Sequence, residues 1–446
     1  MRDNDAQYGK TNVYFAYTTT QHPRNVAMSR VRIMRVVVIA LLLLVADGAS
    51  RAADWPQWLG PKRNGGTTEK VVPWKKAPKV LWQVSVGQGF SSPVAASGLV
   101  FLHARGPDKD KEEETVVAFD AATGKELWKD TYERPPYKSV LGTGPRATPT
   151  VAGKRLFTLG INGLLGCYEV ATGKRFWQVN LYKQLQADLP RFAVCCSPLA
   201  IGNRVIVSVG GKGRCVVALN FETGKVEWQA LDDAASTSSA ILFAGGARPR
   251  GGAPDAVFMT PLRIVGLDPL DGSLRWEHPM VFQPQGTSPT PIVIGDKIVA
   301  STQAHGAVAV QVGKKDEGLA ASAAWQNKEA KSYFSSGVTA GDLVVLVTNT
   351  AKPIPKAFLT CLEAKTGKEL WKKKVGYFHA GVIRTGDDRL LVLSDSGELT
   401  LWEIDAQGAK ELARAKVCEG TLVAPALAGG RLYVRDGKKI ACVQLK

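Results

Sequence analysis

Histidine is scarce in this chain. Five copies stand among 446 residues, and none is placed with the spacing that would ligate a metal ion. Cysteine is irregular: seven copies, an odd number at uneven intervals, which excludes a simple disulfide framework. Cys167, Cys361 and Cys442 fall in apolar runs and are expected to pack as small hydrophobes. Long apolar stretches are also missing. The longest, residues 36–45, has ten residues, about half of what a bilayer-spanning helix requires. Nucleic-acid motifs are absent. Gly210-Gly211-Lys212-Gly213 is followed by no helical pattern and reads as a hairpin turn, and the Ser-Pro pairs lack the strand-to-helix turn of a nucleophile elbow.

Basic residues are plentiful. The formal charge is +17, with 57 Lys and Arg against 40 Asp and Glu, and clusters occur at Lys75-Lys76, Lys372-Lys373-Lys374 and Lys438-Lys439. This balance favours anionic partners, although the lysines fall mostly at expected turns and read as a solvated rim. Residues 1–52 stand apart. Arg30, Arg32 and Arg35 precede the apolar run, and small residues Ser50 and Ala52 follow it, the pattern of a secretory signal. These residues are expected to be an N-terminal extension and a removable signal. Residues 53–79 are then a Trp-containing segment on the main domain, and residues 80–446 that domain. The mature chain is expected to be exported, periplasmic or secreted, with no stable transmembrane segment once the signal is gone.

A repeat decides the fold. Ala118-Phe119-Asp120 through Thr123-Gly124-Lys125 to Trp128 returns around Gly173, Gly224, Gly272 and Gly367. Each copy reads as a hairpin with the glycine at its turn. Trp82, Trp128, Trp177, Trp228, Trp276, Trp325 and Trp371 are separated by 46, 49, 51, 48, 49 and 46 residues. A second marker precedes each hairpin: small or polar residues, then Pro or Gly, then an apolar run, as in Ser91-Ser92-Pro93, Ala147-Thr148-Pro149 and Cys196-Ser197-Pro198. In the fifth repeat the marker is taken as Thr287-Ser288-Pro289. Small residues suit inner strands converging on an axis, where an edge tolerates proline. The spacing therefore predicts an all-β, eight-bladed propeller of four-stranded antiparallel blades, the last blade closed by both termini through residues 80–84 and 440–443. The tryptophans are expected to dock each blade against its neighbour.

This hairpin resembles the tryptophan-docking repeat of the PQQ quinoproteins. The same fold is used without cofactor by PQQ-like repeat proteins such as the outer-membrane assembly lipoproteins of the BamB type. The opening run from Asp54 through Trp58 to Gly65 is similar to the N-terminal segment of exported bacterial members of that group. The resemblance extends over residues 54–446.

Two functional classes follow. For a PQQ-dependent alcohol or sugar dehydrogenase, the resemblance implies a Ca²⁺ held by carboxylate and amide oxygens, an Asp base and a vicinal Cys-Cys pair over the quinone. Cys195-Cys196 are the candidates for that pair. Aligning the repeats gives an expected channel-mouth ring of Phe90, Arg146, Cys195, Thr237, Gly286, Phe334, Phe378 and Leu422. A second ring is Ser91, Ala147, Cys196, Ser238, Thr287, Ser335, His379 and Val423. Neither contains a carboxylate, so no cofactor and no catalytic residue are expected. The favoured class is a binding or assembly scaffold. Phe90, Arg146, Phe334, Phe378 and His379 are its expected partner-binding residues, and an envelope protein or peptide, or an anionic glycan, its partner.

Overall fold

The computed structural model describes residues 54–445, apart from residues 109, 140–141, 247–252, 282–287, 317 and 351–353. The signal-like extension lies outside the described residues. What is described contains eight four-stranded antiparallel sheets and one helical turn, Leu181–Gln184. The sheets are the blades of a propeller. Blades 1 to 7 span residues 94–133, 150–180, 199–230, 241–279, 292–327, 338–376 and 380–416. Blade 8 combines residues 426–444 with Val80–Ser85, whose Val84 lies opposite Ile440 and whose Val80 lies opposite Val443. None of the described helices is long and apolar enough to cross a membrane.

Between blades, the indoles follow one rule. Trp82, Trp128, Trp177, Trp228 and Trp325 each lie on the turn glycine of the next blade, namely Gly124, Gly173, Gly224, Gly272 and Gly367. Their Nε1 groups donate to the carbonyls of Ala121, Val170, Phe221, Pro269 and Ala364. The five glycines have φ between +69° and +77°, and a Cβ on any of them would meet the indole at 2.3–2.7 Å. Glycine is thus required twice over, by backbone and by contact. Trp371 keeps the rule on a degenerate turn, donating to the Asp405 carbonyl.

Trp276 does not. Its Nε1 donates to Asp255 Oδ2 within its own blade. The neighbouring hairpin joins Gly306–Lys315 to Gly318–Asn327 and has no Thr-Gly turn to receive an indole.

Around the axis, the Ser-Pro markers explain themselves. The N–H groups of Ser92, Thr148 and Ser197 donate to the hydroxyls of Thr148, Ser197 and Ser239, each in the following blade. Thr290 N–H donates to Ser336 Oγ in the same manner. In these four places a small hydroxyl accepts from the last free N–H before the neighbouring inner strand, forming a partial girdle. This corrects the fifth repeat: its inner strand starts at Ile292, so Thr290-Pro291 is the marker. Two prolines in succession had concealed the shift of two residues.

The N-terminal segment is the least expected element. Trp55 bridges Ala95 in blade 1, and Pro56 accepts from Val151 N–H in blade 2. The buried Arg63 guanidinium donates to the carbonyls of Ser197 and Pro198 in blade 3 and of Ala240 in blade 4. Trp58 Nε1 donates to Thr290 Oγ1 in blade 5. Gly65, at φ +70°, lies so near Val338 of blade 6 that a Cβ would sit 2.5 Å from Cγ1. Gly65 also accepts from Arg384 N–H in blade 7, and the Glu69 carboxylate caps Gly429 and Gly430 N–H in blade 8. Sixteen residues touch all eight blades, from Asp54 to Glu69.

Candidate functional site

Inner strands that converge on an axis leave a space whose walls are the residues just before each strand. Here that space is a funnel of about 550 Å³, within the usual range of ligand pockets. Trp58, brought in by the N-terminal segment, forms its floor. Its walls include the hydroxyl residues Ser92, Ser197, Thr237, Ser239, Ser288 and Thr290, and its rim Phe90, Arg146, Phe192, Cys195, Tyr333, Phe334 and Leu422.

The expected mouth ring is largely placed here. Phe90, Arg146, Cys195, Thr237, Phe334 and Leu422 line the funnel. Gly286 and Thr287 lie outside the described residues, and the corrected register puts Ser288 in the ring, 3.0 Å from Thr237 between hydroxyl oxygens. Phe378 borders instead an adjoining groove of about 490 Å³, with Phe90, Tyr377, Asp395 and Leu422. The expected second ring does not line the funnel as a ring. Ser91, Ala147, Cys196, Ser238, Ser335 and Val423 are all buried and absent from its wall. Neighbours on extended backbone face opposite ways, so these side chains enter the space between blades. His379 is the exception and borders the funnel.

That alternation separates the two cysteines. Cys195 faces the funnel, its thiol donating to the Phe192 carbonyl at 3.3 Å. Cys196 faces inward, donating to the Ser208 carbonyl, and burial pushes its thiol up to about 11. Both are free thiols. As a pair over a quinone they do not serve.

The rest of a PQQ and Ca²⁺ site does not fit either. A hard divalent ion needs several oxygens, some of them charged. The described lining of the funnel contains no Asp or Glu, and no group of three or more His, Cys, Asp or Glu among the described residues could hold a metal ion. No quinone step is derived for these residues.

Arg146 is held in place from three sides. Its guanidinium donates to the Phe192 carbonyl, to Ser139 Oγ and to the Gly142 carbonyl. His379 is almost fully buried, with Nδ1 2.8 Å from Ser335 Oγ. Burial lowers its pKa to about 4, against a smaller upward pull from Asp395. The ring is therefore neutral at pH 7. The charged form is disfavoured in the fold, so acid costs stability. We expect stability to decline as pH falls from about 6.5 toward 4 and to level off below, by roughly 3 kcal/mol at most. Denaturant titrations across this range check it: His379→Gln should flatten the slope, and an unchanged slope would exclude His379 as its source.

Beside this funnel is a set of exposed apolar side chains, of which the repeat alignment gives Phe334, Phe378 and Leu422 and passes over Phe192, Tyr333 and Tyr377. Phe192, Tyr333, Phe334, Tyr377, Phe378 and Leu422 are 38–48% exposed. Two pairs are fixed by one side chain: Asn349 Oδ1 accepts from Tyr333 N–H, and Asn349 Nδ2 donates to the Phe378 carbonyl. The Asp395 carboxylate accepts from Tyr377 and Phe378 N–H. Tyr333 and Phe334 stack edge to face at 4.1 Å. Tyr333 and Tyr377 each adjoin a residue read from the sequence, and a window one position wider would have found them. By contrast, His103, Glu114, Tyr132 and Arg134 form a polar cluster sealed within blade 1 and present nothing to solvent.

Comparison with known proteins agrees on the architecture. The profile of the family described as "Outer membrane protein assembly factor BamB" matches residues 112–373 and 355–444. An outer membrane protein assembly factor BamB from Yersinia pestis is 22% identical over 308 residues, covering 65% of this chain and 71% of its own length. One from Kangiella koreensis is 25% identical over 227 residues, covering 48% of this chain and 49% of its own. Among solved structures, BamB from Moraxella catarrhalis aligns at TM-score 0.57 with 16% identity, over 83% of this chain and 98% of that one. A quinohemoprotein alcohol dehydrogenase from Comamonas testosteroni aligns at 0.61 with 14% identity, over 90% of this chain and 82% of its own. At such identities these structures share the fold alone.

Proposed function

Because the chain belongs to the outer membrane protein assembly factor BamB family, we propose that it is an exported, non-catalytic scaffold for outer-membrane protein assembly. Its partner is an envelope protein that docks on the funnel mouth. The observation that carries this reading is the ring of exposed aromatics around the mouth, several of them on backbone pinned by Asn349 and Asp395. Aromatic side chains dominate the energetics of protein interfaces, and rings fixed before binding lose little entropy in it. Arg146 and Arg191 beside them have no carboxylate partner among the described residues, which suits a partner with acidic groups.

The test is binding of the purified envelope partner, identified by photo-crosslinking from position 378. Phe334→Ser and Phe378→Ser should each weaken binding by about ten- to a hundredfold. Asn349→Ala should weaken it less, by releasing the rings. Leu270→Ser, at an exposed docking-hairpin turn, should leave affinity unchanged. Equal affinity for all four variants would remove the mouth as the binding face.

A further inference from the structure

The funnel wall is unbalanced in hydrogen-bonding character. Arg146, Arg191, His379 and eight serines and threonines line it, with no described Asp or Glu. Many of the hydroxyls are engaged in the girdle, but four polar groups bordering the space are buried without a hydrogen-bond partner among the described residues. They are Arg146 Nε, His379 Nε2, Ser92 Oγ and Ser332 Oγ. Buried donors rarely remain unpaired in a folded protein, and leaving one so costs about 1–3 kcal/mol. Their common property is that each can donate. Ser335 Oγ accepts from Ala380 N–H and lies 2.8 Å from His379 Nδ1, to which it can give its own proton. In the tautomer that accepts at Nδ1, the imidazole proton is on Nε2 and that nitrogen is a donor.

An occupant must therefore bring acceptors, and two cations without a counter-ion among the described residues call for negative charge. We infer that the funnel is a binding site for a carboxylate. It is reached past the aromatic rim by the end of an extended apolar chain or by a small organic acid. His379 and the serine hydroxyls donate to the carboxylate oxygens, and Arg146 and Arg191 neutralise its charge. Trp58 and the rim rings cover the apolar part. This inference rests on the mouth being the binding face and specifies what it selects.

Titration calorimetry on the full chain tests it with three probes: N-acetyl-Ala-Ala-Phe as the free acid, the same tripeptide as its C-terminal amide, and sodium succinate. The acid is expected to bind at least about tenfold more tightly than the amide. His379→Phe and Arg191→Gln should each erase most of that difference; Arg191 is exposed, so its variant keeps the fold. Succinate that displaces the tripeptide identifies a free acid as a sufficient ligand, and succinate that fails to displace it identifies a chain end. Amide binding equal to acid binding, insensitivity of the acid to both variants, or no binding at millimolar concentration would each overturn the site. Failure here is separable from failure of the scaffold reading. Lost acid selectivity with partner affinity still sensitive to Phe378→Ser removes only the carboxylate site. Partner affinity indifferent to Phe378→Ser with acid selectivity intact removes only the scaffold face.

Discussion

Arg63→Ala is expected to destabilise the fold by about 3–5 kcal/mol, a large share of the stability of an ordinary domain. Arg63 is 2% exposed and has no carboxylate partner among the described residues. Its guanidinium instead feeds the carbonyls of Ser197, Pro198 and Ala240 and the side chain of Gln57. Burial lowers its pKa to about 10, so the charge is held at a cost that these acceptors offset. Truncation leaves the carbonyls of Ser197 and Ala240 without this donor, at about 1–3 kcal/mol each before relaxation, while Pro198 keeps only its bond from the Thr150 hydroxyl. It also leaves a cavity where the buried guanidinium was. Arg63→Lys is expected to recover little, because one ammonium cannot span acceptors on two blades as a planar fork does. Urea denaturation of both variants checks this. A loss below about 1 kcal/mol for Arg63→Ala would show that the N-terminal segment lies on the ring without bracing it.

How much of this was legible before the structure depends on whether a feature repeats. The blades were legible because each must present an indole to its neighbour, and seven tryptophans at near-constant spacing are a periodic signal. The inner-strand markers were legible for the same reason, except where Thr287-Ser288-Pro289-Thr290-Pro291 offered two registers that only the pairing of Ile292 with Val299 separates. Trp276 kept its place in the spacing while losing its docking site. Spacing records where a side chain is, not what the next blade provides.

The N-terminal brace had no such signal. It meets each blade through one or two residues, at separations up to 361 positions, and its contacts follow no repeating residue type. The site was legible in part. Residues in the ring register were found, and the flanking Tyr333, Tyr377 and Phe192 were not, because they follow loop conformation instead of the repeat. Trp58 could not be placed in the funnel without knowing that the segment crosses the axis.

The second large effect is expected at the seam of the ring. Trp82 lies on Val80–Ser85, the strand that the N-terminal side contributes to blade 8. Its indole packs on Gly124 of blade 1, with Tyr433 of blade 8 at 6.0 Å and Phe119 of blade 1 at 6.4 Å between ring centroids. Within blades 1 to 7 the strands are linked by turns, whereas here no turn joins Val80–Ser85 to Lys439–Gln444. The indole therefore supports both the blade contact and the closure of the ring. Trp82→Ala should cost about 3–5 kcal/mol, the range for a buried large aromatic. Trp276→Ala, whose indole bonds only within its own blade, should cost as much in packing but leave the seam intact. Hydrogen exchange separates the two. In Trp82→Ala the amides of Val80–Ser85 and Lys439–Gln444 should lose protection well before the rest of the ring, since a seam without its lock opens locally at low cost. In Trp276→Ala they should exchange with the other blades. Uniform exchange in both variants would show that closure depends on the strand pairing itself, with the indole adding only its buried area.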